Sequence, residues 1–337
     1  MSTASVRPRL VHAARWRPLE LAVWLAAVAA YFLLPQHALI LNEIAIFALF
    51  AVSLDLILGY GGILSLGHAA FFGAGAYAAA LFAIHAMDDP LAGLAVGALV
   101  AGLLGLATSP LVLRGTDLTR LMVTLGVSLI LLELANRFDG ITGGADGLQG
   151  VVMGPLLGRF EFDLAGRVAY AYSLAVLFVL FLAARRLVHS PFGYGLKAIR
   201  DNRLRAQAIG IDPNRWLMAV YTLGGAYAGA AGALLAQTTG FASLDVLEFH
   251  RSADVLLVLV IGGTGYLYGG IVGAVVFKLI QDALATATPQ YWQFWMGIVL
   301  IAIVLAGRER TFGLAREALA RLAARLRGGR LSTKDVA

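Results

Sequence analysis

Ser65 and His68 stand three residues apart, a hydroxyl and an imidazole that could be a nucleophile and its base. Nucleophilic catalysis also needs an orienting group and oxyanion donors, and no carboxylate or donor can be named beside this pair. The six histidines (12, 37, 68, 85, 189 and 250) include no pair at i, i+3 or i, i+4, so two ligands never share one helix face and no metal site is expected. Cysteine is absent, which removes thiolate nucleophiles and Cys-ligated zinc. None of the three lysines is followed by Ser or Thr, so the chain has no phosphate-binding Gly-x-x-x-x-Gly-Lys-Ser/Thr loop, and any ATP acts through another chain. No catalytic residue is assigned. What remains is polar chemistry along a path. Asp55, Gly59, Gly62, Ser65 and His68 fall in or beside a glycine cluster, and Lys278 and Asp282 stand at i, i+4, a spacing that predicts mutual neutralisation.

These residues sit in a chain that is mostly apolar. Hydrophobic residues make up 60% of the sequence and charged residues only 14%, too few to cover a water-facing surface of this size. The chain therefore reads as an all-α polytopic membrane protein. Apolar runs near 19–34, 39–58, 66–85, 91–108, 118–135, 169–187, 216–237, 253–268, 270–287 and 291–306 give a bundle of about ten membrane helices. The eighth and ninth runs nearly touch and also fit one broken or re-entrant element, which would leave eight or nine crossings. The first run follows Arg7, Arg9, Arg15 and Arg17 and reads as a signal anchor.

Lys and Arg stay on the cytoplasmic side of a membrane protein. Of 26 such residues, 19 lie in three segments: 4 in residues 1–18, 7 in 185–215 and 8 in 308–334. The expectation is a cytoplasmic basic N-terminus (1–18), a membrane domain (19–306) with a cytoplasmic segment at 190–213, and a cytoplasmic basic C-terminal tail (307–337). Six crossings and then four satisfy that arrangement. The tail, with Arg310, Arg316, Arg321, Arg325 and Arg327 among Leu and Ala, suits a helix lying on anionic lipid or, alternatively, against a cytoplasmic partner subunit. No basic patch with interleaved aromatics is present, so nucleic-acid binding is not expected.

Three patterns refine the bundle. Gly93, Gly97, Ala101 and Gly105 recur every four residues, as do Gly225 and Gly229, and Gly269 and Gly273, which predicts close backbone packing. The run from Gly59 to Tyr77 begins with a glycine cluster where a helix is interrupted, and it reads either as a tight turn or as a discontinuity lining a path. Residues 193–209 read as one short amphipathic helix with Leu196, Ile199, Ala206 and Ile209 near one face. Gly210 suits its C-terminal cap, and Asp212 with Pro213 opens the next helix. Such a helix suits docking to a partner or to lipid headgroups.

The Gly59–Tyr77 run, Ala198-Ile199-Arg200-Asp201-Asn202, the stretch from Ala206 to Gly210, Ile261-Gly262-Gly263-Thr264-Gly265 before Gly269–Ala274, and Thr142–Leu148 together resemble the permease subunits of ATP-binding-cassette importers for branched-chain amino acids. The resemblance covers roughly residues 40 to 305, and the Ala-Ile-Arg-Asp-Asn form is similar to the M-type of the two paralogous subunits. It implies a coupling helix from Ala198 to Gly210 that seats in a cytoplasmic ATPase, with Ala198, Arg200, Asp201, Asn202, Ala206 and Gly210 at or near the contact. It also implies a paralogous permease, two ATPase subunits carrying ATP and Mg, a periplasmic solute-binding protein meeting the 136–168 loop, and a bacterial inner-membrane location. No cofactor is implied in this chain. The rival reading is an ion-coupled secondary transporter in which Asp55 and the Lys278/Asp282 pair titrate or bind the ion. Leucine, isoleucine and valine are the family's usual cargo, and urea, amides or aromatic compounds are moved by related permeases.

Overall fold

The computed structural model describes residues 18–163 and 165–306. The basic N-terminal arm and the basic C-terminal tail expected to lie on lipid fall outside the described residues. The chain divides within one helix into two compact units, residues up to Lys278 and residues from Leu279.

Each apolar run folds as a helix: α1 Pro18–Leu33, α2 Ala38–Asp55, α3 Ala69–His85, α4 Pro90–Leu113, α5 Asp117–Arg137 and α6 Arg167–Val188. Two short helices follow, α7 Pro191–Asp201 and α8 Arg203–Ala208, and then α9 Pro213–Thr239, α10 Phe249–Gly262, α11 Leu267–Ala287 and α12 Trp292–Ala306. Among the described residues there is no strand, and the β-bridges Leu148 to Ala242 and Leu156 to Phe160 are isolated. Among the described residues, six helical stretches are long and apolar enough to cross a membrane: Pro35–Tyr60, α4, α5, α6, α9 and α11. Two shorter apolar helices are Glu20–Leu33 and α3. The eighth apolar run is cut short. α10 ends at Gly262 and α11 begins at Leu267, because Gly263 (φ +97°) and Gly265 (φ +76°) hold backbone conformations that end a helix.

In the first unit, α2 is the centre. Ile46, Ala48 to Val52 and Leu54 to Ile57 are without solvent contact, whereas α5 turns Leu118, Met122 and Ile130 outward. Exposed Leu, Met and Ile on a long helix are what acyl chains would meet. The glycine stripes face each other as expected. A Cβ on Gly229 would strike Ala101 and the Gly97 carbonyl, one on Gly225 would lie 2.9 Å from the Ala101 carbonyl, and one on Gly75 would enter the Gly229 backbone. α3, α4 and α9 thus touch through their main chains, which only residues without side chains permit. Gly269 and Gly273 make the same contact with Gly262 and Val258, closing α10 and α11 into a hairpin.

Buried polar groups hold the ends of these helices in register. Ser173 Oγ donates to Asn42 Oδ1 at 2.6 Å and Asn42 Nδ2 donates to Thr238 Oγ1 at 3.1 Å, joining α6, α2 and α9. Gln237 Nε2 donates to the Pro90 carbonyl, and the single Tyr172 hydroxyl proton is shared between that carbonyl and Gln237 Oε1. Glu20 and Arg185 pair at 2.5 Å, fixing α1 on α6. In the second unit, α12 is an apolar helix with Phe294 and Trp295 exposed near its start.

Candidate functional site

The glycine cluster is where α2 loses its α-helical register. Residues Leu56–Tyr60 continue as a π turn, after which the Gly61, Gly62 and Ile63 amides bond back to the carbonyls of Leu56, Leu58 and Ile57. Inserted turns of this kind collect at functional positions. Gly62 then takes φ +68°, a conformation that is costly for any residue with a Cβ.

Asp55, at the last α-helical position, is wholly buried. Its Oδ1 accepts the Gly265 N–H at 2.6 Å, while Oδ2 has no hydrogen-bond partner among the described residues. The carboxylate therefore joins two helix breaks, the one after α2 and the one before α11. Gly59 lies between them, and a Cβ there would collide with both the Asp55 carboxylate and the Gly265 amide.

The third part of the site comes from α7. Arg200 Nη1 donates to the Gly59 carbonyl, and a Cβ on Gly62 would lie 2.8 Å from Arg200 Cγ. The Arg200 side chain is only partly covered, and Nη2 also reaches Asp201 Oδ1 at 3.4 Å. One turn back, the Lys197 ammonium stands 5.2 Å from the Tyr60 ring centre and 5.7 Å from that of Tyr194. Partial burial, and then the Arg200 charge, lower the Lys197 pKa, with Asp201 opposing. Leu196 and Ile199 are buried beneath the helix, Ala198 is half-buried, and Phe192 stacks on Trp216 of α9 at 4.9 Å.

The single helix expected over 193–209 is two. Asn202 is extended (φ −159°, ψ 103°), and its Oδ1 accepts the Arg205 N–H at 2.9 Å as the N-cap of α8. An Asn that caps offers the backbone an alternative to continuing the helix, which is the reason for the break. Ala206 is buried, but Ile209 is 69% exposed and Leu204 78%, so the apolar face expected to include Ile209 does not hold past the break. Asp201, Asn202 and Gly210 are exposed, and Gly210 takes φ +88° at the end of the segment. Asp212 caps α9 through the Asn214 N–H at 3.0 Å, with Pro213 at the first position, as its sequence predicts.

Ser65 and His68 lie apart from this junction. His68 Nε2 pairs with Ser53 Oγ at 2.7 Å, and since Ser53 donates to the Phe50 carbonyl at 2.6 Å, the imidazole is assigned as the donor. The ring stacks on Phe50 at 5.3 Å. Ser65 Oγ and His68 Nδ1 are buried without a hydrogen-bond partner among the described residues. Their loop is fixed from other helices: the Leu66 amide donates to Thr124 and the Ala69 amide to Ser252. Sequence reasoning did not single out Ser53, Thr124 or Ser252, and it named Gly265 only within a motif and not as a partner of Asp55. Of these four, only Gly265 carried a signal, as part of the Ile261-Gly262-Gly263-Thr264-Gly265 motif, which lies inside the eighth apolar run. Lys278 is a second correction. Its Nζ pairs with Glu43 of α2 at 3.0 Å, where the i, i+4 spacing pointed to Asp282.

The chain matches the family described as "Branched-chain amino acid transport system / permease component" over residues 37–304. It is 28% identical over 312 residues to the high-affinity branched-chain amino acid transport system permease protein LivM of Salmonella typhimurium, a match covering 85% of this chain and 72% of that one. The Escherichia coli LivM is also 28% identical, over 77% of this chain and 66% of its own length, just under two thirds. An autoinducer 2 import system permease protein, LsrC of Klebsiella pneumoniae, is 34% identical over 48% of this chain and 49% of its own. No solved structure matches. The helix breaks at Gly59 and Gly265, the α7–α8 segment and the helices from α2 to α11 lie within the matched residues, and the chain belongs to this family of multi-pass membrane permeases.

Proposed function

We propose that this chain is the translocating subunit of an ATP-binding-cassette importer for branched-chain amino acids or related small polar solutes. It crosses a bacterial inner membrane about ten times with both termini cytoplasmic, and it hydrolyses nothing itself. A paralogous permease completes the path, two cytoplasmic ATPases supply the work, and a periplasmic binding protein delivers the solute to the side carrying the 136–168 loop.

The observation that carries this reading is the contact of Arg200 with the Gly59 carbonyl. A short surface helix is tied directly to the break in the central helix, and Asp55 ties that break to the start of α11. Movement of α7 is thereby delivered to both discontinuities. The exposed part of the segment, with Leu204, Ile209, Asp201, Asn202 and Arg205, offers the apolar and polar groups an ATPase cleft would grip. Arg200 itself is half in that surface and half in the bundle.

Such a device needs no tight solute site, because the binding protein supplies affinity and a tightly holding translocator would release slowly. Co-purification with the two ATPases and the paralogous permease, followed by uptake in proteoliposomes with the loaded binding protein, tests the reading. Uptake that requires ATP and ignores proton and sodium gradients is expected. Uptake driven by an ion gradient without the ATPases would establish the ion-coupled alternative instead.

A further inference from the structure

Beyond the coupling junction, one face of the first unit carries charges that membrane helices rarely expose. Glu43 of α2 has a side chain 53% exposed, and its partner Lys278 of α11 is 8% exposed. Asp254 of α10 has Arg251, His250, Lys278 and Asp245 as its charged neighbours. Phe47 underlies the group, 4.2 Å from Lys278 Nζ and 5.8 Å from Arg251 Cζ.

The pairing within the cluster is uneven. Arg251 is held by Asp245, and His250 bridges Asp245 and Glu248 at 3.1 Å each, so these groups answer one another. Lys278 is answered by Glu43. Asp254 forms no ion pair or hydrogen bond among the described residues, although two cations and an imidazole are near it. Glu43 leaves half its surface open. Such groups cannot face acyl chains; in a membrane protein they face water or a polar path. Glu43 lies twelve residues before Asp55 on the same helix, roughly 18 Å from the coupling junction.

The geometry points to a transient receiving station for the zwitterionic head of an α-amino acid at Glu43, Arg251, Asp254 and Lys278. This rests on the importer reading above. The ammonium of the solute meets Asp254 and the open side of Glu43, and its carboxylate meets Lys278 and Arg251. Each charge of the solute finds its opposite already in place. Each of those four groups except Asp254 also has a resident partner to return to, so the solute is exchanged and not retained.

The test uses the whole importer in proteoliposomes, with labelled leucine, loaded binding protein and a count of leucine delivered per ATP hydrolysed. Wild-type importer must first take up leucine; ATP-driven uptake of another solute in its place would overturn the station and leave the importer reading standing, whereas no ATP-driven uptake of any solute would defeat that reading. With uptake established, Asp254→Asn is expected to lower leucine per ATP by at least about tenfold, and Asp254→Glu to recover most of it. The exchanged pair Glu43→Lys with Lys278→Glu keeps an ion pair but reverses its order, and is expected to stay impaired. Unchanged leucine per ATP in Asp254→Asn would overturn the proposal, and so would full recovery in the exchanged pair, which would show a purely structural bridge. Loss of complex assembly in every variant would likewise assign these residues to structure and overturn it.

Discussion

The Asp55 carboxylate and the Gly265 amide meet at 2.6 Å across 210 residues of sequence, and Arg200 closes the same junction from a third element through the Gly59 carbonyl. Three segments that the chain keeps far apart are therefore joined by two hydrogen bonds, both of which use a main-chain atom and one of which uses a buried carboxylate. Bonds to charged groups in buried surroundings are the stronger kind. The junction can be taken apart one bond at a time.

Arg200→Glu is expected to insert in the membrane normally and to uncouple ATP hydrolysis from uptake. It places a carboxylate beside the Gly59 carbonyl and near Asp55, two acceptors facing a third. Uptake should fall by at least about tenfold, with Arg200→Lys in between because a point cation reaches less well than a planar fork. Membrane abundance, uptake and ATP turnover measured on one preparation decide it, and normal coupling in the Glu variant would remove Arg200 from the contact.

Asp55→Asn retains an oxygen for the Gly265 amide, whereas Asp55→Ala leaves that amide unanswered. The Ala variant should be the less stable by about 1–3 kcal/mol. Thermal unfolding in detergent, compared between the two variants, reads the difference, and equal midpoints would show that the bond to Gly265 contributes nothing.

Gly62→Ala forces φ +68° on a residue with a Cβ and drives that Cβ toward Arg200 Cγ. A loss of about 1–2 kcal/mol is expected. Gly126→Ala, in α5, meets nothing within 4 Å and should be neutral or slightly stabilising. If both variants unfold at the wild-type temperature, the turn at Gly62 is not constrained by its conformation.

Asn202→Ala removes the cap of α8 and should cost that helix about 1 kcal/mol, while Asn202→Asp keeps the acceptor. Hydrogen exchange of the Arg205 amide is the direct readout. Exchange in the Ala variant as slow as in the parent would mean that the cap is dispensable.

Much of this architecture was legible in the sequence because membrane helices advertise themselves by length and apolarity. All ten runs are helices, the small-residue stripes of α4 and α9 face each other, and Asp212-Pro213 caps α9. The break at Gly59–Gly62 was visible as a glycine cluster, and a break near the eighth and ninth runs was allowed for, but its place at Gly263–Gly265 fell inside the eighth run. The meeting of the two breaks was not visible, since Asp55 and Gly265 share no periodicity. Arg200 read as a surface charge because helix patterns record which way a Cα–Cβ bond points, and a long side chain can turn back toward the bundle. The break at Asn202 is hidden because apolar spacing runs straight across it. Lys278 showed only its neighbour on the same helix, and Glu43, 235 residues away, lies beyond any local rule. Ser65 drew notice beside His68 by proximity in sequence, whereas the imidazole bonds Ser53.

The main-chain seam along α3, α4 and α9 has its own consequence for how such a molecule can work. With the Gly75, Gly97 and Gly229 backbones already touching, there is no slack along which these three could slide past one another. They form the keel of the first unit, and in the coupling proposed above a push arriving at Arg200 would have to move this slab as one plank.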